Sequence, residues 1–142
     1  MEFRYIGRED CSASLEESVS RLFRQLTARK QPLPLQGILG AENPPYLLIC
    51  KEDGQLLGMA TMACYKVVSG YRGWIEDVVV DETARGRGIG RELMRRLIIL
   101  SREKGLSELM LFTGNTRKPA IALYESLGFT IKESHLYLMK FG

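Results

Sequence analysis

The chain has 142 residues, 45% apolar and 26% charged, with a formal net charge of +3. That length fits one domain, residues 1 to 142, with a sizeable core, and the composition is that of an ordinary soluble globular protein. The charge is too mild to argue for nucleic acid, and no apolar run reaches membrane-spanning length. Three cysteines and one histidine do not make a disulfide framework or a zinc site. The N-terminus MEFRYIGRED lacks an apolar signal core, so the expected location is the cytoplasm.

Phe3 to Gly7 reads as a short first strand. Ser14-x-x-Glu17 has the form of a capping box, and Leu15, Val19, Leu22, Phe23 and Leu26 recur at helical spacing, predicting a helix to about Arg29. Pro32 and Pro34 break it, and Leu35 to Leu39 fits one further turn or a short second helix. Tyr46 to Lys51 is a strand, Asp53-Gly54 a hairpin signal, and Gln55 to Val68 a long strand in which Gly58 marks a bulge. Cys50 and Cys64 lie in these strands and read as buried thiols.

The stretch Trp74 to Arg91, WIEDVVVDETARGRGIGR, organises the rest. Ile75 and Val78-Val79-Val80 are strand formers, apolar on both faces, as in a strand between two layers. Asp81-Glu82-Thr83 stops that fourth strand. Arg85-Gly86-Arg87-Gly88-Ile89-Gly90 follows, and Ile89, Leu93, Met94, Leu97 and Ile98 open an amphipathic helix at once. Glycines let the backbone bend tightly and approach a ligand. The first amides of a helix lack internal partners and carry the positive end of its dipole. The bend is therefore an anion seat suited to phosphate, and Arg85, Arg87 and Arg91 add forked donors. Residues 85 to 104 hold seven basic residues against two acidic ones. A solvated helix face accounts for Arg95, Arg96 and Arg102, and the loop arginines fit a polyanionic cofactor.

Beyond that helix, Gly105 suits its C-terminus. Leu109 to Thr113 is a fifth strand, joined by a helical crossover and so parallel to the fourth. Pro119 suits the first turn of a helix over Ala120 to Leu127, ended by Gly128. Phe129 to Glu133 and Leu136 to Lys140 have the composition of two closing strands. The expected architecture is α+β, a mixed central sheet of about six to seven strands with helices on both faces.

Two familiar phosphate motifs fail. Gly90 is followed by Arg91-Glu92 where a P-loop needs Lys-Ser/Thr, and the third glycine of GxGxxG would fall at Arg91. What fits is Arg/Gln-x-x-Gly-x-Gly, met by Arg85, Gly88 and Gly90 after a hydrophobic strand. This resembles the acyl-CoA site of the GNAT superfamily of N-acetyltransferases. Ala120 to Phe129, AIALYESLGF, resembles the LYxxxGF-like segment of the same superfamily. The resemblance covers roughly residues 46 to 130.

The resemblance implies parallel fourth and fifth strands that splay to admit acetyl-CoA, with coenzyme A as product. It implies that the backbone of Val78, Val79 and Val80 meets the pantetheine arm and that the amides from Arg85 to Arg91 seat the pyrophosphate. It implies that Tyr124 donates a proton to the departing thiolate, though core packing with Ile121 and Leu127 explains Tyr124 as well. Many members carry Asn where this chain has Arg117, which fits cofactor phosphate, an acidic acceptor or plain solvation; Asn115 is a weak substitute.

Direct transfer to an amine needs a base or a water chain to take the amine's proton. Glu76 and Asp77 are the candidates. Regular alternation would aim them at opposite faces, Glu76 with Val78 and Val80, Asp77 with Ile75 and Val79, and Glu76 is narrowly preferred. His135, Tyr65, Tyr71 and Trp74 are minor candidates for the acceptor pocket. The expected function is acetylation of a primary amine of a small molecule, a small amine or an amino sugar-like acceptor, with a homodimer also implied by the resemblance. The alternatives are acetylation of a protein N-terminus or lysine, and a non-catalytic acyl-CoA-binding module. Binding to nucleic acid or membrane is not expected.

Overall fold

Alternating apolar residues in the first half of the chain build antiparallel strands, and a helical crossover adds one more in parallel. The computed structural model describes residues 1–142. Its strands are β1 (Glu2–Ile6), β2 (Tyr46–Glu52), β3 (Gln55–Val67), β4 (Gly70–Val80) and β5 (Glu108–Leu111). The helices are α1 (Ala13–Leu26), α2 (Leu35–Leu39), α3 (Ile89–Lys104) and α4 (Lys118–Ser126). One mixed sheet runs in the order β1-β2-β3-β4-β5. Its first three junctions are antiparallel and β4–β5 is parallel. Backbone contacts divide the chain into two units, residues 1–112 and 113–142. No helix is long and apolar enough to cross a membrane.

In the first unit, both faces of the sheet are covered by helices. Leu15, Val19 and Leu22 of α1 and Leu35 and Leu39 of α2 bury Leu47, Ile49, Leu56, Met59 and Val79. α3 takes the other face. Its Ser101 Oγ lies 3.2 Å from Met62 Sδ, and Ile89 and Leu93 rest on Gly58. A Cβ at Gly58 would stand 3.0 Å from Ile89 Cγ2 and 3.3 Å from Leu93 Cδ1. Gly58→Ala is therefore expected to destabilise the fold by about 1–3 kcal/mol, read from urea midpoints. An unchanged midpoint would mean that α3 shifts at no cost.

Several expectations need correction. Gly58 is not itself the bulge. Cys50 pairs with Gly58 and Lys51 with Leu56, so Leu57 is the extra residue. α1 is capped by Ser12, whose Oγ accepts from Leu15 N at 3.1 Å, and not by Ser14. Leu15 is the first buried residue of the helix, and a start at Ala13 gives it a full first turn. Glu17 pairs instead with Arg24 at 3.6 Å. Its neighbour Glu16 accepts from Leu35 N at 2.6 Å and ties α1 to α2. α1 also ends at Leu26, where Thr27 N closes onto Phe23 O.

The sheet has five strands, fewer than the six to seven expected, because the two closing strands do not form. Residues 129–142 carry no strand pairing. Tyr137 and Phe141 are 91% and 87% exposed. Strand composition alone does not make a strand: its amides and carbonyls need a partner edge. In the second unit, α4 carries Pro119 in its first turn, and Phe129 N closes back onto Tyr124 O at 3.1 Å.

Candidate active site

The candidate site is organised by a bulge in β4. Glu76 pairs with Thr61 and Val79 with Met59, so three steps on β4 match two on β3. Asp77 absorbs the extra residue at φ 51, a left-handed conformation that Asp tolerates better than most residues. The bulge reverses the alternation. Ile75, opposite Met62, belongs to the α3 face, whereas Val79, opposite Met59, belongs to the α1 face. Glu76 therefore shares its face with Val79 and not with Val78 and Val80, which corrects the regular alternation expected from sequence.

Glu76 and Asp77 stand side by side. Both residues reach solvent; partial burial pushes the Glu76 carboxyl up, helped by the negative charge of Asp77 and opposed by Lys30. Burial also raises Asp77, against the same lysine. Both shifts favour a proton acceptor closer to neutral pH. Lys30 had no sequence signal; only the path of the chain between α1 and α2 brings its charge to this pair.

β4 runs on past its parallel partner, still paired with β3 on its other edge. The β4–β5 ladder covers Arg72–Ile75 against Glu108–Leu111, and β4 continues to Val80. Val78 and Val80 are half-buried and Val79 is buried in the α1-side core, so these valines can offer a ligand chiefly their backbone. The chain then enters the glycine bend. Gly86 and Gly88 both adopt left-handed φ, 82 and 80, with open space where a Cβ would project. The α3 ladder begins with Glu92 N donating to Gly88 O at 3.0 Å, which leaves the amides of Ile89 and Gly90 outside it. Ile89 is buried against Gly58, and its side chain anchors the bend. Arg85, Arg87 and Arg91 are exposed. Arg85 Nε donates to Val80 O at 3.3 Å, and Arg87 is tethered to Glu52 at 2.6 Å. Arg95 and Arg96 are not simply solvated, since both bind Glu92 and Arg96 also covers the Phe3 ring.

A buried carboxylate fixes the entry to the bend. Asp81 is 4% exposed. Its Oδ1 accepts from Thr83 N at 2.9 Å and Thr83 Oγ1 at 2.7 Å, and its Oδ2 from Arg21 Nη1 at 2.5 Å and Gln25 Nε2 at 3.3 Å. These bonds, those of Thr83 first, hold its carboxyl far below the usual range. Gln25 Oε1 accepts from Glu82 N, so α1 is stitched to the chain that leads into the bend. The sequence shows the Asp-x-Thr turn but gives no sign that Arg21 and Gln25 meet it.

The second unit holds the remaining candidates. Tyr124 is half-buried, its ring set edge-on to Phe129 with centroids 6.1 Å apart. Burial raises its phenol, and the charge of Arg117 works against that. Arg117 is the exposed residue capping α4, and Asn115 is exposed in the preceding loop. His135 is exposed within residues 129–142, so the strand expected to present it is absent.

Comparison with known proteins accords with this geometry. The model of the acetyltransferase (GNAT) family matches residues 11–129. A mycothiol acetyltransferase of Thermomonospora curvata is 38% identical over 88 residues, 62% of this chain and 29% of that protein. A streptothricin acetyltransferase of Streptomyces lavendulae is 39% identical over 82 residues, 54% of this chain and 40% of that protein. The chain thus spans less than half the length of either relative. Its fold is similar to that of a solved aminoglycoside acetyltransferase from a soil metagenome. The TM-score is 0.82 at 20% identity, over 99% of this chain and 95% of that one. With more than half of its length matched, this chain belongs to the acetyltransferase (GNAT) family.

Proposed function

We propose that residues 1–142 act as a single N-acetyltransferase domain that moves the acetyl group of acetyl-CoA to a primary amine of a small molecule. The observation that carries this reading is the β4 edge beyond Ile75, which runs into a left-handed glycine bend at the start of α3. The bend fits the cofactor, because the space at Gly86 and Gly88 admits phosphate where any side chain would stand. The amides of Ile89 and Gly90, with Arg85, Arg87 and Arg91, would hold the phosphates. The resemblance would make Arg117 a further phosphate partner. The backbone of Val78, Val79 and Val80 would take the pantetheine arm. Bound there, acetyl-CoA supplies an activated acetyl thioester.

Glu76 takes a proton from the acceptor amine. The amine nitrogen forms the new C–N bond, the acetyl–sulfur bond breaks, and Tyr124 gives the departing sulfur a proton. Tyr124 suits this role because burial keeps its phenol protonated. A small-molecule acceptor is favoured over a protein by the relatives, whose names specify mycothiol and streptothricin.

Calorimetric titration tests the reading. Acetyl-CoA and desulfo-CoA are expected to bind and ATP is not, and thioester is consumed only when an amine is added. A folded protein that ignores acetyl-CoA would sink the proposal. Binding without turnover on any amine would leave an acyl-CoA-binding module.

A further inference from the structure

Next to Glu76, on the same face of the sheet, three aromatic side chains form a platform. Trp74 and Phe112 are stacked, with centroids 5.1 Å apart and planes 26° from parallel. Trp74 Nε1 donates to Tyr65 Oη at 3.1 Å. Trp74 is opposite Ala63 and Glu76 opposite Thr61 in unbroken register, so Tyr65, Trp74 and Glu76 share the α1 face. α1 and α2 leave this end of the face open: Ala63 is exposed and Phe112 is 60% exposed. Tyr71 is not part of it. Its partner Lys66 lies over its ring at 4.9 Å, and both belong to the opposite face.

We propose that this platform is the acceptor site, and that the acceptor is an amine carrying an aromatic ring on a short arm. The inference rests on the acetyltransferase reading and names its substrate class. Charge complementarity selects an amine, since Glu76 and Asp77 offer two neighbouring carboxylates on an exposed stretch of β4. Spacing sets the arm. Residues two apart on a strand are separated by about 7 Å, so a ring on Trp74 reaches Glu76 through two or three carbons. The ring faces favour an apolar ring over a sugar. Trp74 and Phe112 are already stacked, the Tyr65 hydroxyl accepts from Trp74 and keeps only its own O–H to give, and Arg72 is committed to Glu108 at 3.0 Å and Ser69 at 2.8 Å. A flat apolar ring extends the existing stack, which a sugar's hydroxyl-studded ring does less well.

Trp74 is the only tryptophan of the chain, so its emission reports on the platform without turnover. The full chain is titrated with 2-phenylethylamine, 2-cyclohexylethylamine and glucosamine, with and without coenzyme A. Saturable change in emission is expected with 2-phenylethylamine, at concentrations at least ~10-fold below those needed for glucosamine, and kcat/KM follows the same order. Phe112→Ala, at an exposed position, is expected to weaken the 2-phenylethylamine response by roughly 3- to 10-fold. Its effect on glucosamine should be slight. Preference for glucosamine, or no emission change with any amine, would overturn the platform. Acetyl-CoA binding, followed in the same samples by calorimetry, decides the acetyltransferase reading separately.

Discussion

Gly88→Asp is expected to lower affinity for acetyl-CoA by about 100-fold or more, the largest effect anticipated on the cofactor seat. Gly88 sits at φ 80 immediately before α3, with no protein atom within 4 Å of where a Cβ would stand. A side chain there starts in open space. It enters the space where the amides of Ile89 and Gly90 would take phosphate. An aspartate adds steric bulk and a negative charge facing an anion, and it removes charge-assisted bonds of about 1.5–3 kcal/mol each. Loss of about 3 kcal/mol corresponds to ~100-fold. Left-handed strain must be separated from charge, because any side chain is strained at this φ. Gly88→Asn carries similar strain and no charge, and Asp and Asn both tolerate the left-handed region. Titration of both variants, with thermal melts to show folding, makes the comparison. The aspartate variant should lose far more affinity than the asparagine one. Near-native affinity in a folded Gly88→Asp protein would remove the bend from the cofactor site.

Glu76→Gln should cut kcat by about 10²- to 10⁴-fold, the range for loss of a general base, with acetyl-CoA affinity kept. The pH profile gives the sharper test. A base works unprotonated, so the rate climbs as pH rises through the pKa of Glu76. Burial and the charge of Asp77 set that pKa above the ordinary carboxylate value. The acid limb should vanish in Glu76→Gln. In Asp77→Asn the negative neighbour is gone, so the pKa of Glu76 falls and the acid limb moves to lower pH. Asn is at ease at φ 51, so the bulge survives. Tyr124→Phe should act at the other end. An acid works protonated, the rate falls as pH rises through its raised pKa, and that alkaline limb should be lost. If Asp77→Asn abolishes turnover while Glu76→Gln does not, the base is Asp77. An unaltered profile in Tyr124→Phe would return that residue to core packing.

The fourth-strand region shows how far the chain could be read directly. Val78-Val79-Val80, the stop at Asp81 and the glycines before Ile89 specify strand, turn and helix through local preferences, and the structure has them in that order. The hairpin at Asp53-Gly54 was legible for the same reason, since its turn uses left-handed φ at both positions. The face presented by Glu76 was not legible. Alternation is a period-two rule, and one extra residue at Asp77 reverses it. Nothing in IEDVVV marks which residue absorbs the slip, because a bulge is settled by pairing with β3. Residues 129–142 failed in another way: their composition favours strands, but pairing is a property of the edge that receives them.

By itself, the sequence determined the crossover, the parallel fifth strand and the glycine bend. These depend on periodicity and on backbone freedom within a few residues. Only the tertiary structure decided the reversal at Asp77, the approach of Lys30 to Glu76 and Asp77, the anchoring of Asp81 by Arg21 and Gln25, and the exposed stack of Trp74 and Phe112. Each joins residues far apart in the chain, and such contacts are set by register and packing that no local pattern encodes.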